Sequence, residues 1–239
     1  MQNKKSLLQR LLVIYITFFI VLVASIAHGF LPDFSKGYSE GSQMGNDIVK
    51  SWMSGTPRRV YMLSNIAIAN SPRSEIALDS VAAADRSVEA RIGTLCLTVE
   101  EDAPGASVMG IAFGSIGGSP WLYLLTVLNV LAFAAIIVLM ILIIHSLRRS
   151  IREEHTLDKR NVWMLRTIGL LTILTELFHD IVNWRMAQRA AEVLAGSGYA
   201  VETGFRISYS TVIMGILVLF AAEVFAIGQN LSEEQKLTI

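Results

Sequence analysis

The sequence predicts a membrane all-α bundle of four transmembrane helices, with a small β-containing extracytoplasmic domain between helices 1 and 2. Three observations predict it: four long apolar stretches, a low share of charged residues, and basic residues gathered beside one end of each stretch. The stretches cover residues 11–30, 121–145, 165–184 and 209–227 and are 19–25 residues long. At about 1.5 Å of rise per residue, each crosses a hydrocarbon layer of about 30 Å as a helix. Apolar residues make up 53% of the chain and charged residues only 17%. A soluble domain carries about a quarter charged residues.

Charge and cysteine usage exclude several classes. The formal net charge is +0, so no overall field favours nucleic acid or an anionic substrate, and direct nucleic-acid binding is not expected. Cys96 is the one cysteine, which excludes an intramolecular disulfide and a Cys-rich metal cage. No phosphate loop, nucleophile elbow, zinc-protease helix or nucleotide fingerprint is present, so neither an enzyme nor a bound cofactor is expected.

The first stretch follows Lys4, Lys5 and Arg10, and Ser25-Ile26-Ala27 has the small residues of a cleavage site. Its apolar run of about 17–20 residues exceeds the 7–15 of a secretory signal, so the segment is expected to stay as a membrane helix. The connection between spans two and three, residues 146–164, carries Arg148, Arg149, Arg152, Lys159 and Arg160, with Arg166 at its edge. The positive-inside tendency places this loop and the N-terminus in the cytoplasm. Four crossings then bring the C-terminal tail, residues 228–239, back to the cytoplasm, and residues 31–120 lie outside. Trp121, Trp163 and Trp184 flank spans, as interfacial anchors do.

Within the outer segment a Gly/Ser-rich stretch follows Pro32, and a short helix is expected around residues 44–53. Residues 60–68 read as a strand, and Asn70-Ser71-Pro72 as a turn. Leu95, Leu97 and Val99 alternate with Thr94, Cys96 and Thr98, the pattern of a half-buried strand. Glu100 to Gly105 closes it. Residues 107–116 are apolar but short, and read as another strand or as packing against the bundle. Helix-favouring residues continue past the third span to Leu194, with Gly196 as a stop, so residues 161–195 form one helix of about 50 Å.

Two tails share a pattern. Ser150-Ile151-Arg152-Glu153-Glu154-His155-Thr156-Leu157-Asp158 follows span two, and Asn230-Leu231-Ser232-Glu233-Glu234-Gln235-Lys236-Leu237-Thr238 follows span four. Two readings stand: parallel repeats of a helical hairpin, or the polar tail any helix acquires on leaving a membrane. The segment from Phe225 through Gly228, Leu231, Glu233, Glu234 and Leu237 to Ile239 resembles the closing signature of DUF2975, a family of bacterial four-span membrane proteins of unknown function. Asn161-Val162-Trp163-Met164-Leu165-Arg166-Thr167-Ile168-Gly169 is similar to the family's second motif. Departures are Ala226 and Ile227 in place of basic residues, and Glu153 or Glu154 and Leu157 where the inner loop has a glycine and an aromatic. The resemblance implies a bacterial cytoplasmic membrane location, no catalytic chemistry, and a cytoplasmic helix-turn-helix regulator as companion. On that reading Arg148, Arg149, Arg152, Glu153, Glu154, Gly228, Leu231, Glu233, Glu234 and Leu237 form a surface for a cytoplasmic partner.

Polar residues inside the spans are the other functional lead. Glu176, Asp180 and Asn183 share one face of the third helix, with His179 adjacent and His28 at comparable depth on the first. A carboxylate deep in lipid costs several kcal/mol unless neutralised or paired, so this face points into the bundle or a wet cavity. Three readings stand: hydrogen bonding between helices through Arg185 or threonines, a proton- or ligand-responsive site, and a carboxylate–histidine metal site. A di-iron bundle needs two Glu-x-x-His motifs, and Glu176-x-x-His179 supplies one. Glu223 is expected to pair with Arg148 or Arg149, or to snorkel. The expected function is a sensor or regulatory anchor. The alternatives are a small transporter or channel component using the Glu/His/Asp cluster, and a membrane metalloprotein. The lipid bilayer is a partner in all three, and a homo-oligomer is compatible with each.

Overall fold

The computed structural model describes residues 2–25, 27–28, 31–55, 57–70, 93–153 and 159–237; the side chains at 2–8, 10–11, 14–15, 32–33, 70, 150–153 and 231–237 fall outside that description. The element order is α1 (Gln2–Ser25), α2 (Leu31–Met53), β1 (Arg58–Asn70), β2 (Thr94–Asp102), α3 (Val108–Phe113), α4 (Pro120–Glu153), α5 (Lys159–Val193), β3 (Ala200–Val201) and α6 (Tyr209–Leu237). The chain is therefore mostly helical with one small sheet.

Two compact units are present. A helical unit comprises Met1–Met44, Asn129–Glu176 and Ser208–Ile239, and a sheet unit comprises Gly45–Leu128 and Leu177–Ile207. Helices α4 and α5 each contribute residues to both.

The sheet has strand order β2-β1-β3 and is antiparallel throughout. Tyr61 pairs with Val99 and Leu63 with Leu97, and the register then shifts between Leu63 and Ile66. Asn65 sits at the shift with φ 60°, a left-handed conformation that asparagine tolerates better than most residues. The extra residue moves the alternation by one position, so Tyr61, Leu63 and then Ile66 all reach the core face. They pack with Leu122 and Leu125 of α4 and with Val182, Met186 and Ala190 of α5. The strand expected at residues 60–68 and the alternating strand beginning at Thr94 are both present. The turn expected at Asn70-Ser71-Pro72 falls largely outside the described residues.

Two local expectations are corrected. The short helix expected at 44–53 begins at Leu31 and runs 23 residues. Its Gly37, Gly41 and Gly45 recur every four residues and so share one face, while Phe34 stacks on Tyr38 and Lys36 pairs with Glu40 at i,i+4 spacing. Residues 107–116 hold a helix rather than a strand. Ser107 is its N-cap and accepts the Gly110 amide at 3.1 Å, which commits the next residues to a helical turn.

The long third helix is borne out as α5, 35 residues from Lys159. Gly196 adopts φ 85°, the left-handed geometry that stops a helix at little steric cost. β3, two residues long, was not anticipated.

Two helices are long and apolar enough to cross a membrane: α4 over Pro120–Arg149, 30 residues, and α6 over Tyr209–Asn230, 22 residues. Many of their large side chains are outward-facing, with Val130 64% and Phe220 65% exposed. Pro120 opens α4 at the position where a missing amide hydrogen costs nothing. Among the described residues α1 carries a shorter apolar run, Ile16–Ser25. The run in α5 is interrupted by Glu176, His179, Asp180 and Asn183. Of four expected spans, two thus meet the requirement of length and composition among the described residues.

Candidate functional site

Within the helical unit α5 meets α6 along an antiparallel line of three contacts. At one end Arg166 forks onto Glu223, with Nε donating to Oε1 at 2.8 Å and Nη2 to Oε2 at 2.9 Å. Two parallel charge-assisted bonds fix both planes. Glu223 thus pairs with Arg166, not with Arg148 or Arg149; Arg166 had been placed at the edge of the inner loop, while Glu223 lies inside the α6 span.

In the middle the two backbones touch. A Cβ on Gly215 would lie 3.0 Å from the Gly169 carbonyl oxygen and 2.6 Å from Ile173, and one on Gly169 would lie 2.9 Å from the Gly215 carbonyl oxygen. Only glycine at both positions permits this approach, which is how small residues pack helices in lipid. Gly169 closes the motif that begins at Asn161.

At the other end Glu176 Oε1 accepts the Ser208 backbone amide at 2.9 Å. Ser208 is the residue before α6, and its hydroxyl contacts Thr211 Oγ1 at 3.0 Å and accepts the Thr211 amide at 3.4 Å. In a capping box a glutamate three residues on would take the N-cap amide. That position is Thr211, and Glu176 supplies the carboxylate from α5 instead. A negative charge there also complements the helix dipole.

The other α5 members of the expected cluster follow Glu176 within the next two turns of that helix. Glu176 belongs to the helical unit, and His179, Asp180 and Asn183 to the sheet unit. Asn183 Nδ2 and His179 Nε2 are 2.9 Å apart across one turn of α5, and Asp180 is buried. His28 is exposed. Among the described residues no group of three or more His, Cys, Asp or Glu is placed to hold a metal ion.

The expected partner surface is described in part. Arg148 and Arg149 are exposed near the end of α4, and Gly228 is exposed in α6. Arg152 and Glu153 lie in α4, and Leu231, Glu233, Glu234 and Leu237 in α6, with side chains outside the description. Glu154 is outside the described residues.

A polar group that sequence reasoning missed occupies the sheet unit. Tyr61 Oη donates to Glu101 Oε1 at 2.6 Å, and Arg189 Nη2 lies 3.6 Å from the same oxygen. The Arg189 guanidinium also stands 5.7 Å from the Tyr61 ring centre. Burial, and then the bond to Glu101, push the Tyr61 phenol above its ordinary value. The phenol therefore stays a neutral donor well into alkaline pH. The one sequence signal for this trio was the alternation that places Tyr61 on the face of Leu63.

No curated protein and no solved structure matches this chain. One family model, described as a protein of unknown function, matches residues 98–239, from within β2 to the last residue. The match takes in all of α3, α4, α5 and α6, the Arg166–Glu223 fork and the Glu176 cap, and on it the chain belongs to the DUF2975 family.

Proposed function

We propose that this is an integral protein of the bacterial cytoplasmic membrane that passes an extracytoplasmic signal to a cytoplasmic partner. In this reading the membrane is crossed four times, by α1, α4, α5 and α6, with both ends of the chain inside. The sheet unit faces outward, and the basic 146–164 loop with the 228–239 tail holds the partner, a helix-turn-helix regulator.

The observation that carries the reading is the continuity of α5. It runs unbroken for 35 residues; Val182, Met186 and Ala190 are core residues of the sheet unit, and Met164 and Ile168 are core residues of the helical unit. One continuous helix thus supplies core residues to each unit. A transporter would need only loops at its cytoplasmic edge, whereas this chain carries patterned acidic–leucine tails there.

Deleting residues 228–239 tests the proposal. Insertion, read as resistance to an alkaline carbonate wash, should be retained. Pull-down of a cytoplasmic helix-turn-helix regulator should be lost. Undiminished capture by the truncated chain would reject the anchoring role, and a reporter fused to the C-terminus that proved to be exported would reject the topology.

A further inference from the structure

Helix α2 carries a single apolar stripe. Leu31, Phe34, Tyr38, Val49 and Trp52 follow one another at helical steps, with Gly41 and Gly45 continuing the line between Tyr38 and Val49. Lys36, Glu40, Gln43, Asp47 and Lys50 run along the opposite side by the same steps. The helix is therefore strongly amphipathic while having little net hydrophobicity. The five large stripe residues are between 41% and 72% exposed, and a Cβ added at Gly41 or Gly45 would meet nothing within 4 Å. Each glycine inside a helix costs about 1 kcal/mol against alanine, and α2 holds three. Helices in proteins draw most of their stability from packing an apolar face. The stripe therefore calls for a cover.

Tether, composition and charge identify that cover. Leu31 follows Ser25, the end of α1, by a stretch of chain that reaches at most about 20 Å. With α1 as a span, the start of α2 is held beside the outer face of the bilayer. Tyr38 and Trp52 on the stripe are the rings that favour the boundary between water and lipid. A seam for a second helix would instead ask for branched aliphatic residues at successive positions, and here two successive positions are glycine. Asp33, Glu40 and Asp47 against Lys36 and Lys50 keep α2 from crossing a membrane and give it no attraction to anionic headgroups. High amphipathicity with low net hydrophobicity is the pattern of a helix lying in the plane of a membrane surface.

We infer that α2 lies along the extracytoplasmic surface of the bilayer, with its stripe from Leu31 to Trp52 seated among the upper acyl chains of the lipids and its charged side in water. Apolar burial alone holds it there, so a zwitterionic surface suffices. The inference rests on the membrane reading above and adds a lipid contact to its outer side. Ser51 Oγ accepts the Arg58 backbone amide at 3.3 Å, which joins the end of α2 to the start of β1. The packing of the outer lipids would then bear on the first strand of the sheet unit.

The test is spin-label accessibility in the full chain, held in phosphatidylcholine nanodiscs. Cys96→Ser removes the native thiol, which is exposed, and Val49→Cys or Gln43→Cys then carries a nitroxide on the stripe or on the charged side. Both positions are exposed, so neither label disturbs a core. The label at 49 should collide more with dissolved oxygen and less with an aqueous nickel chelate than the label at 43. The ratio should place it about 5–10 Å into the boundary between headgroups and acyl chains. A label at 49 that meets nickel as freely as the one at 43 would overturn the inference, because the stripe would lie in water. Shielding of position 49 from both oxygen and nickel would overturn it too, because protein would be the cover, and spin–spin broadening would then identify a second copy of the chain. Oxygen contact that required added phosphatidylglycerol would overturn it as well, since charge and not the stripe would hold the helix. A chain retained through a carbonate wash but wet at position 49 defeats the surface seat alone; a chain released by the wash defeats the membrane reading itself.

Discussion

The sheet unit and the helical unit bury their side chains differently. The largest fully buried side chains, Tyr61, Leu63, Ile66 and Ile111, all belong to the sheet unit. The helical unit's core is thinner, with Ile143, Met164 and Ile168 between 3% and 7% exposed, while Val130, Leu131, Phe133 and Phe220 of its long helices are about 60% exposed. In water the hydrophobic effect gathers large apolar groups inward. In lipid the surrounding chains are as apolar as leucine, so little drives those groups together, and helices join through small residues and hydrogen bonds. The Gly169–Gly215 contact and the Glu176–Ser208 bond are joints of that second kind. On the membrane reading proposed above, one chain carries a core built for water and a core built for hydrocarbon.

The contrast breaks if the sheet unit does not behave as an aqueous core. Leu63 is 0% exposed and packs in the cluster with Tyr61, Met186 and Leu122. Leu63→Ala should cost about 2–5 kcal/mol, the transfer of the lost methyls plus the cavity they leave. Equilibrium unfolding followed by protease sensitivity of residues 45–128 checks it. A loss below about 0.5 kcal/mol, the ordinary range for a surface position, would mean that this unit has no such core.

The converse substitution sharpens the helical side. Phe133 lies near the middle of the Pro120–Arg149 stretch and is 63% exposed. At the centre of a membrane helix Asp costs about 2.5–3.5 kcal/mol of insertion free energy. On a water-facing helix the same change stays within about 0.5 kcal/mol. Phe133→Asp should therefore raise the apparent free energy of inserting this stretch by about 3 kcal/mol, measured by glycosylation-tagged insertion into microsomes. An unaltered insertion equilibrium would say that α4 is not solvated by lipid.

What could be read from the chain follows the same division. Period-two alternation around Leu97 and the apolar runs of α4 and α6 are statements about one element and its solvent, and they were legible. The bulge at Asn65 was not, because a register shift depends on which strand lies opposite. The helix at 108–113 escaped because an apolar run that short suits a strand equally well, and the Ser107 cap that decides it is a single hydrogen bond. The face of Glu176, Asp180 and Asn183 was legible as one side of a helix. Its partners were not. The nearest guess for Glu176 was a threonine or Arg185, whereas its partner is a backbone amide 32 residues away, a group every residue carries and no pattern marks. Likewise the fork on Glu223 is set by how α5 meets α6, and charge alone pointed to the arginines of the loop.

Glu176 is where the contrast becomes a functional question, because one carboxylate can be a joint or a working group. Its acceptor oxygen completes the start of α6, so Glu176→Ala should destabilise the helical unit by about 0.5–2 kcal/mol, the usual cost of a lost cap. Glu176→Gln keeps a carbonyl acceptor for the Ser208 amide and removes only the charge facing the helix dipole, which is worth about 0.3–1 kcal/mol. A purely structural Glu176 predicts that order in thermal stability, with signalling to the regulator falling only as stability falls. A transporting or proton-sensing Glu176 predicts that Gln abolishes ion flux in reconstituted vesicles, or the response to external pH, while stability barely moves. Measuring both variants against both readouts separates the two, since a cap depends on the oxygen, and proton chemistry depends on the group's ability to ionise.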